Sequence, residues 1–266
     1  MLDSVDASRF DRAMAKGRTC PLLIAGEHSD HSEVELVAKF SAGNGLGVEG
    51  LTREVFGSLL ALDLGLHSPE PFLVRTSAAF IEQVATTDSA SAQLLRDSVA
   101  VGFGSKRLPS GYTAWMPAQI TTKSQLQQAI EVFAFDALFQ NSDRYRPDNP
   151  NLQFRGDALA IFDHELAFFT EGVLGWQPPW VTGSLAGIGQ PSQHVLFASV
   201  RGRMHDLSRF EGALQAISDV RLGEYRMALP AEWAQARTVA DRAVQLIGDI
   251  RNNIGLCVQE LQRVLA

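Results

Sequence analysis

The chain has 266 residues, of which 45% are hydrophobic and 20% charged, and its formal net charge is -7 at pH 7. That length and apolar content are enough to bury a large core, organised as one large domain or as two lobes. No cluster of Lys and Arg offsets the negative charge. The composition therefore argues against a protein that binds nucleic acid through the phosphate backbone.

The cysteines and the first residues bear on the cellular compartment. Cys20 and Cys257 lie far apart and lack metal-ligand spacing, so neither a disulfide framework nor a zinc site is expected. Residues 1–10 lack the basic start and apolar core of a signal peptide. The chain also has no run of about 18 apolar residues. We expect a soluble, cytoplasmic protein with no membrane partner.

The first half of the chain is rich in predicted strands. They cover residues 19–26, 34–40, 72–75, 79–84 and 99–108. The first two form a hairpin, and the first four share one antiparallel sheet. A helix is expected over residues 51–64, where apolar positions recur at helical spacing, and residues 86–95 are expected to form a loop or a short helix.

Lys39 lies inside the second predicted strand, where lysine is uncommon. One interpretation is an outward-facing edge lysine, which the alternation of Glu35, Val37 and Lys39 permits. The other is a cation directed at a phosphate and held by a carboxylate. Glu54, in the first turn of the predicted helix, is the candidate carboxylate, although an acidic residue there also favours the helix N-terminus through the macrodipole.

The second half contains a polar loop between apolar elements. An apolar helix is predicted over residues 126–139, and a strand, a turn and a second apolar strand lead to Asp163. A carboxylate after a strand that looks buried is costly unless it is paired or metal-bound. Mg²⁺ prefers such oxygen ligands, so Asp163 and one Asn are candidate metal ligands, and Asp143 can accept a proton. The alternative is an ordinary turn rich in Asp, Asn and Pro.

Three other segments give less specific evidence about structure or function. Residues 14–19 form a small basic turn whose backbone amides can face a phosphate, or a plain surface turn. Residues 172–193, rich in Gly, Pro and Trp, predict an irregular loop. Residues 238–265 predict one final helix with an apolar stripe. His164, His194 and His205 share no metal-ligand spacing, and we interpret them as structural.

Several short motifs occur in a fixed order along the chain. They are Val37-Ala-Lys-Phe40, Thr52-Arg-Glu-Val55, Asn141-Ser-Asp-Arg144, Asn149-Pro-Asn-Leu152 and Phe162-Asp-His-Glu165. Together they resemble the HipA-like kinases, a bacterial branch of the protein-kinase-like fold. The resemblance spans most of residues 10 to 170 and depends on the order and spacing of the motifs, since each alone is short.

The resemblance implies a two-lobed α+β fold. Residues 1–108 would form a small lobe with an antiparallel sheet, and residues 109–266 a larger, mostly helical lobe. The larger lobe would carry the catalytic loop, residues 141–152, and the metal-binding segment, residues 162–168. The implied cofactors are ATP and Mg²⁺.

The resemblance also implies roles for single residues. Lys39 would contact the ATP phosphates with Glu54 as its ion-pair partner, and Asp143 would be the catalytic base. Asp163 would hold Mg²⁺ together with Asn149. The phosphate loop would comprise Lys16, Gly17, Arg18 and Thr19, and the hinge that receives adenine would include Phe103, Gly104 and Ser105.

The chain departs from the family pattern at two positions near the metal. The metal-binding Asn usually follows the catalytic Asp by five residues, but that position is Asp148 here and Asn149 is one further on. Asp148, Asn149 and Asn151 therefore all remain candidate ligands. Glu165 stands where the family has glycine.

We interpret the chain as an ATP- and Mg²⁺-dependent phosphotransferase acting on a protein Ser or Thr hydroxyl. One alternative is a pseudokinase that binds nucleotide without transfer. A second is a metal-dependent hydrolase using Asp143, Asp148, Asp163 and His164, and a third is a structural protein. The acceptor, whether a protein or a small molecule, is not specified by the sequence.

Overall fold

The computed structural model describes residues 2–14, 19–116, 118–146, 148–171, 173–187, 193–203 and 206–266. The fold is mixed α+β, as predicted. The chain forms two compact units. The first contains Met1–Phe56, Pro69–Leu108 and Glu224–Asp241, and the second Gly57–Ser68, Pro109–Gly223 and Arg242–Ala266. The lobes expected over residues 1–108 and 109–266 stay a prediction.

The first unit is built around a closed five-stranded barrel. Its strands are β1 (Asp3–Ala13), β2 (Leu22–Glu27), β3 (Glu33–Lys39), β4 (Pro71–Arg75) and β5 (Val101–Lys106). They are hydrogen-bonded in the order β1-β2-β3-β5-β4, and the ring closes where β4 pairs with β1. The predicted β2–β3 hairpin and the predicted strands β4 and β5 are confirmed.

The purely antiparallel sheet expected from the sequence is wrong because of β1. This strand runs parallel to β4, with Asp3 opposite Phe72 and Asp6 opposite Arg75, whereas the other pairings are antiparallel. Val5 is the one residue of β1 that is buried, so no apolar alternation marks the strand in the sequence.

Helix α1 (Gly47–Asp63) begins four residues before its predicted start, at a glycine with φ of +57°. Its first-turn acidic residue is Glu49. Glu54 lies well inside the helix and is fully buried, so the interpretation of Glu54 as a residue that favours the helix N-terminus is wrong.

Two short helices cover the barrel core of the first unit. The strand predicted over residues 79–84 is wrong, because this segment forms α2 (Ala78–Ala85), followed by α3 (Ser89–Asp97). Ser77 caps α2 by accepting a hydrogen bond from the Phe80 amide, and Phe80 and Val84, one turn apart, are both buried. The core they join comprises Val5, Leu22, Ile24, Leu36, Ala38, Phe40, Phe72, Val74, Ala92 and Leu95.

The second unit contains the predicted apolar helix and a small sheet. Helix α4 (Leu126–Leu138) is confirmed. Strands β6 (Thr113–Ala114), β7 (Leu152–Arg155) and β8 (Ala158–Ile161) pair antiparallel in that order. A 3-10 turn, Ser142–Tyr145, lies between α4 and β7. The predicted strand, turn and strand before Asp163 are therefore present.

The rest of the chain is helical. The helices are α5 (Ser184–Gly187), α6 (Phe197–Val200), α7 (Ser208–Ala216), α8 (Asp219–Met227), α9 (Arg237–Asn252) and α10 (Ile254–Leu265), with a 3-10 segment at Ala231–Ala236. The single helix predicted over residues 238–265 is wrong, because Asn253 has non-helical φ and ψ of -116° and 18° and separates α9 from α10. None of the described helices is both long and apolar enough to cross a bilayer.

Candidate active site

Lys39 and Glu54 form a buried ion pair in the first unit. The Lys39 ammonium, at the end of β3, donates to the carboxylate of Glu54 on α1. The residues are 6% and 0% exposed, so the outward-facing interpretation of Lys39 is wrong. Two buried charges remain stable only when they are well paired and hydrogen-bonded. The predicted ion pair is confirmed, while its role in binding phosphate stays a prediction.

The predicted adenine hinge lies on β5, directly beside Lys39. Phe103 is the register partner of Lys39 across the β3–β5 pairing. At Gly104 a Cβ atom would come within 2.7 Å of Val74, so close packing inside the barrel already requires this glycine. Of the predicted phosphate loop, Thr19 is buried, and Lys16, Gly17 and Arg18 lie outside the described residues.

Asp143 is held in the 3-10 turn that follows α4. The Asn141 side chain caps the turn by accepting a hydrogen bond from the Asp143 amide at 3.4 Å. Asp143 is only 4% exposed. Its carboxylate lies 3.9 Å from the guanidinium of Arg146, which is itself partly exposed. The local sequence therefore places an acidic side chain in a largely buried turn, 3.9 Å from the guanidinium of the residue that ends the turn.

Asp163 follows β8 in a strained backbone conformation. Its φ is +64°, which is uncommon for a residue other than glycine and persists only where surrounding contacts enforce it. A carboxylate oxygen of Asp163 and one of Glu165 lie within 4.8 Å of each other. Both residues are half-buried. Two carboxylates at this spacing form a donor set suited to a hard divalent cation.

The carboxylates of Asp163 and Glu165 affect the pKa of Asp143. Burial, followed by the negative charges of Asp163 and Glu165, raises the pKa of Asp143 to about 7, although Arg146 and Arg144 act in the opposite direction. A carboxyl group with a pKa near neutrality is matched to general-base catalysis at physiological pH. A bound divalent cation would also relieve the repulsion among the three carboxylates.

The candidate second metal ligands differ in their surroundings. The Asn149 amide nitrogen donates to the Asn151 side-chain oxygen at 3.1 Å, which leaves the Asn149 oxygen as the ligand atom. Asn151 is buried with φ of +51°, and Asp148 is exposed. The Asn151 oxygen keeps a second lone pair, so Asn149 and Asn151 both stay predicted candidate ligands.

Comparison with known proteins identifies the family. A family model described as HipA-like kinase matches residues 12–260. The chain belongs to the HipA-like kinase family. None of the curated proteins matches the chain in sequence. A crystal structure of the Helicobacter pylori proinflammatory kinase CtkA is similar, with 11% sequence identity, a TM-score of 0.48, and coverage of 99% of this chain and 100% of that chain.

Sequence reasoning missed a buried polar cluster in this HipA-like kinase. Arg144, Asp136 and His194 are all fully or nearly fully buried, and both Arg144 and His194 contact the Asp136 carboxylate. One signal was available in the sequence. Asp136 stands inside the mostly apolar helix α4, where an acidic residue is rarely buried unless it is paired.

Gly57 on α1 of the HipA-like kinase is required by His164. A Cβ atom at residue 57 would lie 2.3 Å from Cβ and 2.7 Å from Cγ of His164, and these atoms are too close to the backbone to move freely. We expect Gly57→Ala to lower the free energy of unfolding by about 1–3 kcal/mol. Urea denaturation measures the change.

A matched control separates this clash from the general effect of alanine in a helix. Gly212 lies in α7, and a Cβ atom there meets nothing within 4 Å. We expect Gly212→Ala to stabilise the protein by roughly 0.5–1 kcal/mol, because alanine has the higher helix propensity. Equal stability of the two alanine variants would show that His164 does not pack against Gly57.

Proposed function

We propose that this HipA-like kinase transfers the γ-phosphoryl group of ATP to a hydroxyl acceptor, most simply a Ser or Thr of a protein, in a Mg²⁺-dependent reaction. The observation that carries the proposal is the carboxylate cluster of Asp143, Asp163 and Glu165. Burial, together with the charges of Asp163 and Glu165, raises the pKa of the candidate base to about 7 beside a pair of oxygen donors that suits a divalent cation.

The family resemblance and the surroundings of each side chain support the proposed roles. Asp143 accepts the proton of the attacking hydroxyl, and the Lys39 ammonium, oriented by Glu54, neutralises phosphate charge. Asp163 and the Asn149 oxygen hold the metal, and the Glu165 carboxylate close to Asp163 is a further oxygen donor. When bound, Mg²⁺ supplies positive charge against the triphosphate.

The nucleotide-binding segments complete the proposal. Residues 16–19 would contact the phosphates and residues 103–105 the adenine, as the family resemblance implies. In the same proposal, residues 1–108 form the lobe that carries these segments. Residues 109–266 form the lobe that carries the catalytic loop.

Two alternatives differ in their support. The metal-dependent hydrolase requires His164 as a ligand, but its Nδ1 atom already faces the Asn141 amide nitrogen at 3.4 Å and the Arg144 guanidinium at 3.5 Å. Both of those groups are donors, so Nδ1 is already in use as an acceptor. The pseudokinase is favoured by Glu165, which adds a negative charge beside Asp163.

The test is a phosphoryl-transfer assay with γ-labelled ATP, with and without Mg²⁺. Label is followed into a Ser/Thr peptide library, into the protein itself and into inorganic phosphate. We expect Mg²⁺-dependent transfer to one of these acceptors. Binding of ATP without transfer to any acceptor would contradict the catalytic proposal and favour the pseudokinase.

The raised pKa of Asp143 predicts that the difference in stability between the wild type and Asp143→Asn depends on pH. The folded protein holds this proton more tightly than the unfolded chain, where the pKa is near 3.8. The contribution of Asp143 to stability is therefore lost as the pH rises from about 4 through about 7. The Asp143→Asn variant has no carboxyl group to ionise and so avoids this loss. In the absence of metal and above pH 8, its free energy of unfolding should exceed that of the wild type by about 4 kcal/mol.

Urea denaturation at pH 5 and pH 8.5 measures this difference. The control is Asp157→Asn, which changes an exposed carboxylate between β7 and β8. Its free energy of unfolding should equal that of the wild type at both pH values. An advantage of Asp143→Asn that is the same at both pH values would contradict the buried-carboxyl explanation.

A further inference from the structure

Arg144 is anchored by the buried carboxylate of Asp136. Its side chain is 0% exposed, and Nε and Nη2 donate to the two oxygens of Asp136 at 2.5 and 2.7 Å. Burial acts against the ionised carboxyl of Asp136, but the charge of Arg144 and the hydrogen bonds from His194 and Arg144 outweigh it, so the pKa of Asp136 lies below its usual value. Arg144 is thus held by a charged, fixed carboxylate.

The remaining contacts of Arg144 reach both neighbours of Asp163. Nη1 donates to the Phe162 carbonyl at 3.2 Å, and Nη2 lies 3.5 Å from His164 Nδ1. Nη1 also donates to the Asn151 carbonyl at 3.2 Å, just before β7. One guanidinium therefore contacts the residue before Asp163, the residue after it, and the end of the catalytic loop.

We propose that Arg144 is a positioning residue that fixes the Asp163 carboxylate in register with Asp143, the residue directly before Arg144 in the chain. The inference rests on the proposed function, because it assigns Arg144 to the metal site of that reaction. The positive φ of Asp163 needs contacts that over-determine it, and Arg144 supplies one on each side.

Only the planar fork of arginine can make these contacts together. Lysine keeps the positive charge facing Asp136, but a single ammonium cannot bind both oxygens of that carboxylate and also reach two carbonyls and an imidazole. Arg144→Lys therefore separates the positioning role from the charge. Residues that orient metal ligands typically affect metal affinity or activity by 10- to 100-fold, so we use about that range as the expected effect.

Arg209 provides a matched control in the same unit. Its Nε and Nη2 donate to the Glu131 carboxylate and its Nη1 to the Leu64 carbonyl, which repeats the pattern of a carboxylate and a backbone acceptor. Within the part of the chain that the structure describes, these partners of Arg209 lie outside the catalytic loop and the metal-binding segment. Arg209→Lys thus makes the same chemical change without touching Phe162 or His164.

The experiment measures binding of Mn²⁺ by electron paramagnetic resonance in the presence of a non-hydrolysable ATP analogue, together with kcat. We expect Arg144→Lys to weaken Mn²⁺ binding about 10- to 100-fold and to lower kcat, and Arg209→Lys to bind Mn²⁺ like the wild type. Equal Mn²⁺ affinity in the two lysine variants would overturn the positioning role. A wild type that binds no Mn²⁺ with the analogue would refute the proposed function, and the inference with it.

A second pair of variants serves if Arg144→Lys does not fold. His164→Asn keeps a side-chain acceptor for Arg144, whereas His164→Leu removes it. We expect Mn²⁺ binding to be weaker in His164→Leu than in His164→Asn. The same affinity in both variants would overturn the role of the Arg144–His164 contact in holding Asp163.

Discussion

Replacing Asp143 with Asn is expected to lower kcat for phosphoryl transfer by about 10²- to 10⁴-fold. Asn has nearly the same shape as Asp but cannot take the proton of an attacking hydroxyl. Asp143 is buried beside Asp163 and Glu165, and its pKa of about 7 suits this proton transfer. The affinity for ATP should change little, because Asp143 is not proposed to contact the nucleotide.

Asp148→Asn is the informative comparison for this prediction. Asp148 lies on the same loop but is exposed. If Asn149 is the metal ligand, Asp148→Asn should retain most of the activity, and if Asp148 is the ligand, the activity should become dependent on higher Mg²⁺. Steady-state rates of γ-phosphoryl transfer at several Mg²⁺ concentrations decide between them. An Asp143→Asn variant as active as the wild type would refute Asp143 as the base.

Replacing Lys39 with Met is expected to affect both stability and activity. The substitution leaves the fully buried Glu54 without its lysine, and breaking a buried ion pair costs about 3–5 kcal/mol. Loss of one preorganised charge that stabilises the transition state lowers the rate by about 10²- to 10³-fold. Lys106→Met, at an exposed pair with Glu70, is the stability control and should cost less than about 1 kcal/mol.

A double variant separates the two effects of Lys39. Replacing a buried ion pair with apolar side chains of similar volume is often neutral or stabilising. Lys39→Met combined with Glu54→Leu should therefore regain the stability lost in the single variant but remain inactive. Urea denaturation and the transfer assay on the same samples measure both. Recovery of activity in the double variant would show that Lys39 acts only through stability.

Local patterns predict the elements whose side chains follow a simple rule. The β2–β3 hairpin and α4 appear in the sequence as apolar runs between polar turns, and both are present. Lys39 also stands out, with Glu54 as its candidate partner, because lysine is uncommon in strands and is rarely buried without a partner. The pairing is found, although Glu54 lies deeper in α1 than its predicted first turn.

The elements that local patterns miss depend on distant contacts. β1 is mostly exposed and is defined by its pairing with β2 and β4 rather than by alternation. The apolar residues of the segment Ala78–Ala85 fit either a strand or a helix. The cap formed by Ser77 stabilises the helix.

The buried polar cluster was missed for the same reason. The role of Arg144 depends on Asp136 and on the carbonyl of Phe162, which come together only in the folded protein. The motif around Asp143 includes Arg144, but the sequence alone does not show that this side chain joins the segments of Asp143 and Asp163.

Thermal unfolding of the wild type tests whether the protein binds ATP together with Mg²⁺. The midpoint is measured without ligand, with ATP, with Mg²⁺ and with both. Ligand at about a hundred times its dissociation constant stabilises a protein by roughly 2.7 kcal/mol, which corresponds to several degrees at this chain length. We predict a shift of that size only when ATP and Mg²⁺ are present together. A shift with metal alone and none with ATP would contradict the roles proposed for Lys39 and Glu54.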